Sequence, residues 1–329
     1  MKFKNPKLNR GWKNKDTLKQ VPTRNGYGEG VVEAAKKDPN IYVLCADLTE
    51  STRNEWFKET FPDRFVQMGV SEQSLAAIAA GMTLAGKTVF IASYAAFSPG
   101  RNWEQIRTTA CLPNMNVKIA GAHTGVSVGP DGATHQMLED IALMRVLPGM
   151  TVLVPADYIE TRKATVTAAK IDGPVYIRFA REKTPVFTTE ATPFEVGKAT
   201  VLRDGNDLAI IGCGPLVYEC LMAAEELAKL GIEARVINNA SVKPMDEKTI
   251  ITAAKECGAI ITIEEAQVAA GMGSAVCELL SAEFPVPIER MGMQDRFGES
   301  GEPQQLLEHF KLTAPAIVDA AKRIIKKKK

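Results

Sequence analysis

Short, unbroken apolar runs alternate with segments of helical period along this chain, and that alternation restricts the fold more than any other feature. The runs lie at 41–46, 88–92, 117–121, 151–155 and 174–178. Each is too short for a buried helix and is bounded by turn residues, as expected of strands covered on both faces. Helical patterns fall between them, near 25–37, in the stretch 69–86, and near 103–111, 138–147 and 158–170. Residues 48–65 read as a long loop with one helical turn. The order predicts a mostly parallel sheet with helices on both faces. Ligands of such sheets bind beyond the carboxyl ends of the strands. Asp47, Tyr94, His123 and Arg181 all follow strand ends, so they are expected to meet at one edge.

Residues 182–194, rich in Thr and Pro, read as a linker. A second α/β unit follows, with strands predicted at 208–212, 234–237, 259–263 and 286–289. Its helices are predicted near 216–230, 246–257, 273–282 and 314–325. The fold class is therefore α/β, two consecutive three-layer domains with mostly parallel sheets, placed at 21–187 and 188–329. A length of 329 residues accommodates two such domains at about 150 residues each. The polar, basic arm at 1–20 either packs on a partner or stays mobile. Gly212-Cys-Gly214 follows a strand, but Val217 stands where a dinucleotide fingerprint needs its third glycine. The segment reads as a tight strand-to-helix turn.

A net charge of +1 gives no global field for nucleic acid or an anionic membrane. No apolar run reaches the roughly 20 residues of a spanning helix, and the start, Met1-Lys-Phe-Lys-Asn-Pro6, has no apolar core. The run Lys326–Lys329 reads as a solvated helix end. No two of the six cysteines are spaced C-x-x-C. Cys45, Cys213 and Cys277 lie in apolar surroundings and are expected in the core. Reduced thiols and a cytoplasmic location are the expectation.

The stretch Gly69–Gly86 carries the first candidate for chemistry. Ser71 is a plausible N-cap whose hydroxyl would accept from a first-turn amide. Leu75, Ile78, Ala79 and Met82 repeat at helical spacing, and Glu72 falls on the same face. A carboxylate there points toward apolar neighbours and can share a proton with a ligand. The alternative is a first-turn acid that complements the helix dipole. The second candidate is Gly129-Pro-Asp-Gly-Ala-Thr-His135, whose Asp131 and His135 can face one small ligand. A turn with a solvated Asp and an N-capping Thr134 is the alternative. Only three histidines occur, and His123 and His135 share this loop region.

These stretches, taken in order, resemble the carboxyl-terminal part of transketolase, a thiamine-diphosphate enzyme. The segments that carry the resemblance are Cys45-Ala-Asp-Leu48, Gly69-Val-Ser-Glu72 with its helix, Tyr94-Ala-Ala-Phe97, Gly125 to Gln136, and Gly173-Pro-Val-Tyr-Ile-Arg178. It runs from about Arg24 to the C-terminus. It implies a pyrimidine-binding domain followed by the family's C-terminal domain. Glu72 then matches the carboxyl group that hydrogen-bonds the cofactor's pyrimidine ring. The proton held there favours the imino tautomer, which can deprotonate the thiazolium carbon. Phe97 matches the aromatic stacked on that ring, Tyr94 a neighbouring pocket aromatic, and Asp47 lies in the same cofactor pocket. A further aromatic expected three residues after Phe97 is Gly100 here.

The resemblance also implies a substrate site. His135 and Asp131 match residues that contact the ketose hydroxyls and help proton transfer. Arg24, Ser51, His123 and Arg181 match a cluster that holds the sugar phosphate, as guanidinium forks suit a phosphate dianion. Arg178 is expected at the surface, at a strand end. The family's Gly-Asp-Gly segment, which holds the diphosphate and Mg2+, does not occur in this sequence. A separate N-terminal transketolase subunit is therefore the expected partner, in an α2β2 assembly active only when complete. The implied reaction is transfer of a two-carbon ketol unit from a ketose phosphate to an aldose phosphate, in the pentose phosphate pathway. The β subunit of a 2-oxo acid dehydrogenase, a deoxyxylulose-phosphate synthase and a non-catalytic regulatory subunit remain alternatives.

Overall fold

Strands without a polar face have to be covered on both sides, and the sheets that result are central. The structure, a computed structural model, describes residues 7–328. The chain runs through β1 (Gln20–Pro22), α1 (Thr23–Lys37), β2 (Ile41–Cys45), α2 (Glu55–Thr60) and β3 (Phe65–Gln67). Next come α3 (Glu72–Leu84), β4 (Thr88–Tyr94) and α4 (Trp103–Gln105), which continues as a π-helical stretch over Ile106–Cys111. Then follow β5 (Val117–Ala122), α5 (Asp140–Arg145), β6 (Thr151–Leu153), α6 (Tyr158–Ala168), β7 (Val175–Arg178) and β8 (Lys183–Pro185). The second unit begins with β9 (Thr200–Arg203), β10 (Leu208–Gly212), α7 (Val217–Lys229), β11 (Ala234–Asn238) and β12 (Ser241–Lys243). It ends with α8 (Glu247–Cys257), β13 (Ile260–Gln267), α9 (Met272–Glu283), β14 (Ile288–Met293), α10 (Pro303–His309) and α11 (Ala314–Ile325).

The larger sheet has the order β12-β6-β7-β5-β4-β2-β3 and is parallel apart from the antiparallel pair β12–β6. The second sheet, β14-β13-β10-β11-β9, is parallel except for the edge strand β9. This is the α/β architecture expected of the chain, with helices over two mostly parallel sheets. Among the described residues, no helix is long and apolar enough to cross a membrane. All six cysteines are free, and five are buried; Cys277, expected in the core, is only half-buried.

Several local expectations are corrected. Ser71 does not cap α3: its hydroxyl donates to Met68 O at 2.6 Å instead of accepting from the first turn. The buried stripe of α3 is Glu72, Leu75, Ala76, Ala79 and Ala80, while Ile78 is 46% exposed. That stripe keeps the i, i+3, i+4, i+7, i+8 spacing of a core-facing helix. The small alanines let the helix lie close on the sheet, and the longer Ile78 falls outside the contact. The 48–65 loop holds more order than one turn, because β3 extends the sheet by pairing with β2. The 182–194 linker contains β8, paired with β1.

The arm is likewise fixed within the chain. Leu8 and Leu18 are buried in the core of the second unit, and Tyr218 Oη donates to Trp12 O at 3.0 Å. Residues 1–6 of the arm lie outside the described residues. Strand β12 was not expected, and it crosses from the second unit into the first sheet. Lys243 at its end donates to Arg145 O and Leu147 O.

Candidate active site

Strands β2, β4, β5 and β7 are parallel neighbours, so residues after their carboxyl ends share one edge. Register decides the central contact. Tyr94, the last residue of β4, pairs with Ala122 at the end of β5, and His123 follows directly. The Tyr94 and His123 rings stack with centroids 3.9 Å apart and planes at 24°. His123 is 1% exposed, sits at φ +57°, and its Nδ1 has no hydrogen-bond partner. Burial, reinforced by the charges of Arg24, Arg181, His135 and Arg53, pushes its pKa down to about 3. The imidazole is therefore neutral across the physiological range.

Two further rings complete the wall. Phe97 lies 6.0 Å from Tyr94, and His135 presents its edge to Phe97 at 5.5 Å and to Tyr94 at 6.1 Å. Thr134 is not a cap: its hydroxyl is 2.9 Å from His135 Nδ1 and steadies that ring. The guanidinium groups come from α1 and from the segments after β2 and β7, which carry Arg24, Arg53 and Arg181. Arg24, in the first turn of α1, donates to Ser51 O at 2.9 Å, and its buried Nε has no partner. Burial and the neighbouring Arg53 and Arg181 hold its pKa below the usual arginine value. Arg181 donates to Val128 O at 2.9 Å and lies 3.8 Å from Asp131.

Glu72 stands at the start of α3 with 2% of its side chain exposed. Its carbonyl accepts from Asn102 Nδ2 at 2.9 Å, and its carboxylate accepts from Arg101 Nη1 at 3.0 Å. Arg101 in turn lies over the Phe97 ring, 5.7 Å from its centre. No side chain fits at position 100, because a Cβ on Gly100 would stand 2.0 Å from Ala96 O. The ring contact beside Phe97 on this turn is therefore made by Arg101 and not from position 100. Among the described residues, Asp47 is tied to Gln67 of β3, whose Oε1 accepts from its amide at 2.9 Å, and not to the ring cluster. Ser51 enters the cluster through its carbonyl oxygen.

The loop that carries Asp131 and His135 is held from behind by the second unit. Glu265 Oε1 accepts from Ser127 N at 2.5 Å and lies 2.3 Å from where a Cβ on Gly125 would be. Gln136 Nε2 donates to Val126 O, Gly129 O and Glu299 O. Arg178, expected at the surface, is 3% exposed. It pairs with Asp140 at 2.7 Å and donates to Glu265 O at 2.8 Å, because α5 and β13 close over the strand end. Sequence reasoning missed Arg53, Arg101 and Glu265. Arg53 lies two residues beyond Ser51, and Arg101 adjoins the anomalous Gly100, so both had a local signal. Nothing in the sequence links Glu265 to Ser127.

Among the described residues, no group of three or more His, Cys, Asp or Glu is placed to hold a metal ion. What the edge offers is a buried carboxylate beside an aromatic plane, a neutral imidazole with a free nitrogen, and converging cations. Residues 19–186 match the family model of the transketolase pyrimidine-binding domain, and residues 197–317 match that of the transketolase C-terminal domain. A Methanocaldococcus jannaschii protein, provisionally named a transketolase C-terminal section, is 42% identical over 93% of this chain and 96% of its own length. A 6-deoxy-6-sulfo-D-fructose transketolase subunit of a Clostridium species is 40% identical over 93% of this chain and 95% of its own. The solved structure of a split-gene transketolase, an inactive β4 tetramer, superposes with a TM-score of 0.88. It is 45% identical and covers 94% of this chain and 100% of that one. The chain belongs to the transketolase family and spans the family's pyrimidine-binding and C-terminal domains.

Proposed function

We propose that this chain is the subunit of a two-chain transketolase that holds the pyrimidine end of thiamine diphosphate and the sugar. A second subunit would anchor the diphosphate and Mg2+, and the working assembly would contain two copies of each. The observation that carries the reading is the meeting of Glu72, Phe97, Tyr94, His123, His135 and three arginines at one sheet edge. The residues fit the cofactor's ring. Glu72 is buried beside Phe97, and its carboxylate already accepts from a flat N–H edge. When bound, thiamine diphosphate supplies the nucleophilic carbon that carries the two-carbon unit.

The chain's own residues do the rest. Glu72 holds a proton at the ring nitrogen, and Phe97 offers its face to the ring. Tyr94, stacked near Phe97, completes the pocket. His123, kept neutral by its burial and then by the cations around it, has Nδ1 free to hydrogen-bond a ligand. His135 and Asp131 bind sugar hydroxyls, and His135 moves a proton. Arg24, Arg181 and the Ser51 segment take the anionic end of the sugar, with Arg53 adding charge. This cluster suits a tetrahedral oxyanion, phosphate or sulfonate. Similarity to the sulfofructose subunit supports testing both.

The test is reconstitution with a chain that carries the Gly-Asp-Gly segment. Two-carbon transfer from xylulose 5-phosphate to ribose 5-phosphate is measured beside transfer from a sulfonated ketose. The Glu72→Gln complex should lose about a thousandfold in turnover with unchanged circular dichroism, within the range typical of acid–base groups. Wild-type turnover in that variant would remove Glu72 from the mechanism. Activity only with pyruvate and a lipoyl acceptor would move the chain to the dehydrogenase reading.

A further inference from the structure

The proposed function leaves Arg101 without a role, yet Arg101 touches both groups that would receive the cofactor's ring. Its Nη1 donates to Glu72 Oε2 at 3.0 Å, and its guanidinium carbon lies 5.7 Å from the centre of the Phe97 ring. The Glu72 side chain is 2% exposed while that of Arg101 is 54% exposed, so the arginine lies on the solvent side of the carboxylate. A guanidinium is flat, stacks on aromatic faces and offers carboxylates an N–H edge. A protonated aminopyrimidine offers the same flat face and N–H edge. The two therefore compete for one place.

We propose that Arg101 is a built-in ligand of the pyrimidine subsite, occupying it in the cofactor-free chain and setting the affinity for the ring. The proposal rests on the cofactor reading of Glu72 and Phe97. The local structure supports a side chain that swings on a fixed hinge. Arg101 N donates to Phe97 O at 2.9 Å, and Gly100 N donates to Ala95 O at 3.0 Å. The following Asn102 ties the turn to α3 and to Ser98, donating to Glu72 O at 2.9 Å and to Ser98 Oγ at 3.1 Å. The backbone is thereby fastened on both sides of Arg101. The half-exposed side chain can leave by rotating its own torsions, with no rearrangement of the pocket. A pair with one exposed partner is weak enough to be displaced. Its loss still appears in the binding constant, because hydrogen bonds to buried charged groups are stronger than neutral ones.

The test is the dissociation constant for thiamine diphosphate with Mg2+, measured by calorimetry on the complete complex of both subunits. Arg101→Ala should bind about tenfold more tightly than wild type, and Arg101→Lys, which keeps the charge without the flat fork, should fall between them. Low-millimolar guanidinium ion should weaken binding to the Arg101→Ala complex, refilling the place, and leave wild type unaffected. Equal or weaker binding by Arg101→Ala, with wild type binding normally, overturns the role of Arg101 and leaves the cofactor reading intact. Failure of the wild-type complex to bind thiamine diphosphate at all overturns both.

Discussion

A histidine that is 1% exposed and acted on by three arginines cannot serve as a proton acceptor near neutral pH. Burial and like charge both disfavour the imidazolium of His123, and its stacking on Tyr94 leaves the ring little room to turn outward. Its value in the site is as a fixed, neutral hydrogen-bonding group. The proposed function gives proton transfer instead to His135, which sits toward the rim against Thr134. The sign of the pH effect follows. A pKa of about 3 in the folded chain lies below the ordinary 6.5. The neutral form therefore adds stability above pH 6.5, and that stability is lost as the pH falls toward 3. In histidine-labelled protein, the His123 ring resonances should stay flat between pH 5 and 8. Replacing Arg24 by Gln should move its titration upward. A midpoint near 6.5 in wild type would show that the cluster does not form.

The loop between β5 and α5 shows how an irregular segment is made rigid. Side chains hold its backbone in place of a long ladder: Glu265 of the second unit accepts from the Ser127 amide, and the loop's own Gln136 donates to Val126 O, Gly129 O and, in the second unit, Glu299 O. Gly125 makes this possible. Its φ of +85° disfavours any side chain, and a Cβ would run into the Glu265 carboxyl group. Gly125→Ala combines backbone strain with overpacking and should cost about 3 kcal/mol or more. Urea unfolding midpoints would measure it. The chain should also lose the Tyr94–His123–His135 arrangement before it loses secondary structure, so activity of the assembled enzyme should fall at urea concentrations where far-UV circular dichroism is unchanged. The helix that carries Glu72 obeys the opposite logic: its alanine stripe settles its pose on the sheet with no second-unit contact needed to explain it.

The two units are tied together through buried polar groups. Glu160 of α6 accepts from Asn238 Nδ2 of β11 at 2.8 Å, and burial pushes its pKa up to about 7 from the ordinary 4.5. A raised value means that the protonated form stabilises the fold fully below pH 4.5, and that this contribution disappears as the pH rises through 7. Glu160→Gln, which keeps the shape without the charge, should gain stability relative to wild type across pH 4.5–7. Asn238 Oδ1, which has no partner, can accept from the new amide if the Asn238 side chain turns over. Unfolding midpoints at pH 4.5, 5.5 and 7 test this, and a difference that does not change with pH would rule it out. Much of the molecule was legible before any coordinates. Runs such as 208–212 and 314–325 became β10 and α11 with those bounds, because run length and period are local consequences of which faces a segment must bury. The shared edge of Tyr94 and His123 was likewise readable from strand order. Other features were not. Strand β12 joining the first sheet, the arm buried against α7, the ion pair under Arg178, and Glu265 reaching Ser127 across 138 residues all depend on partners distant in the chain. A buried polar group must find a complement wherever packing places one. Residue types and their spacing therefore settle which segments are strands and helices and where they point, while the choice of long-range partner, and with it the exact pose of the loop between β5 and α5, exists only once the two units have closed on each other.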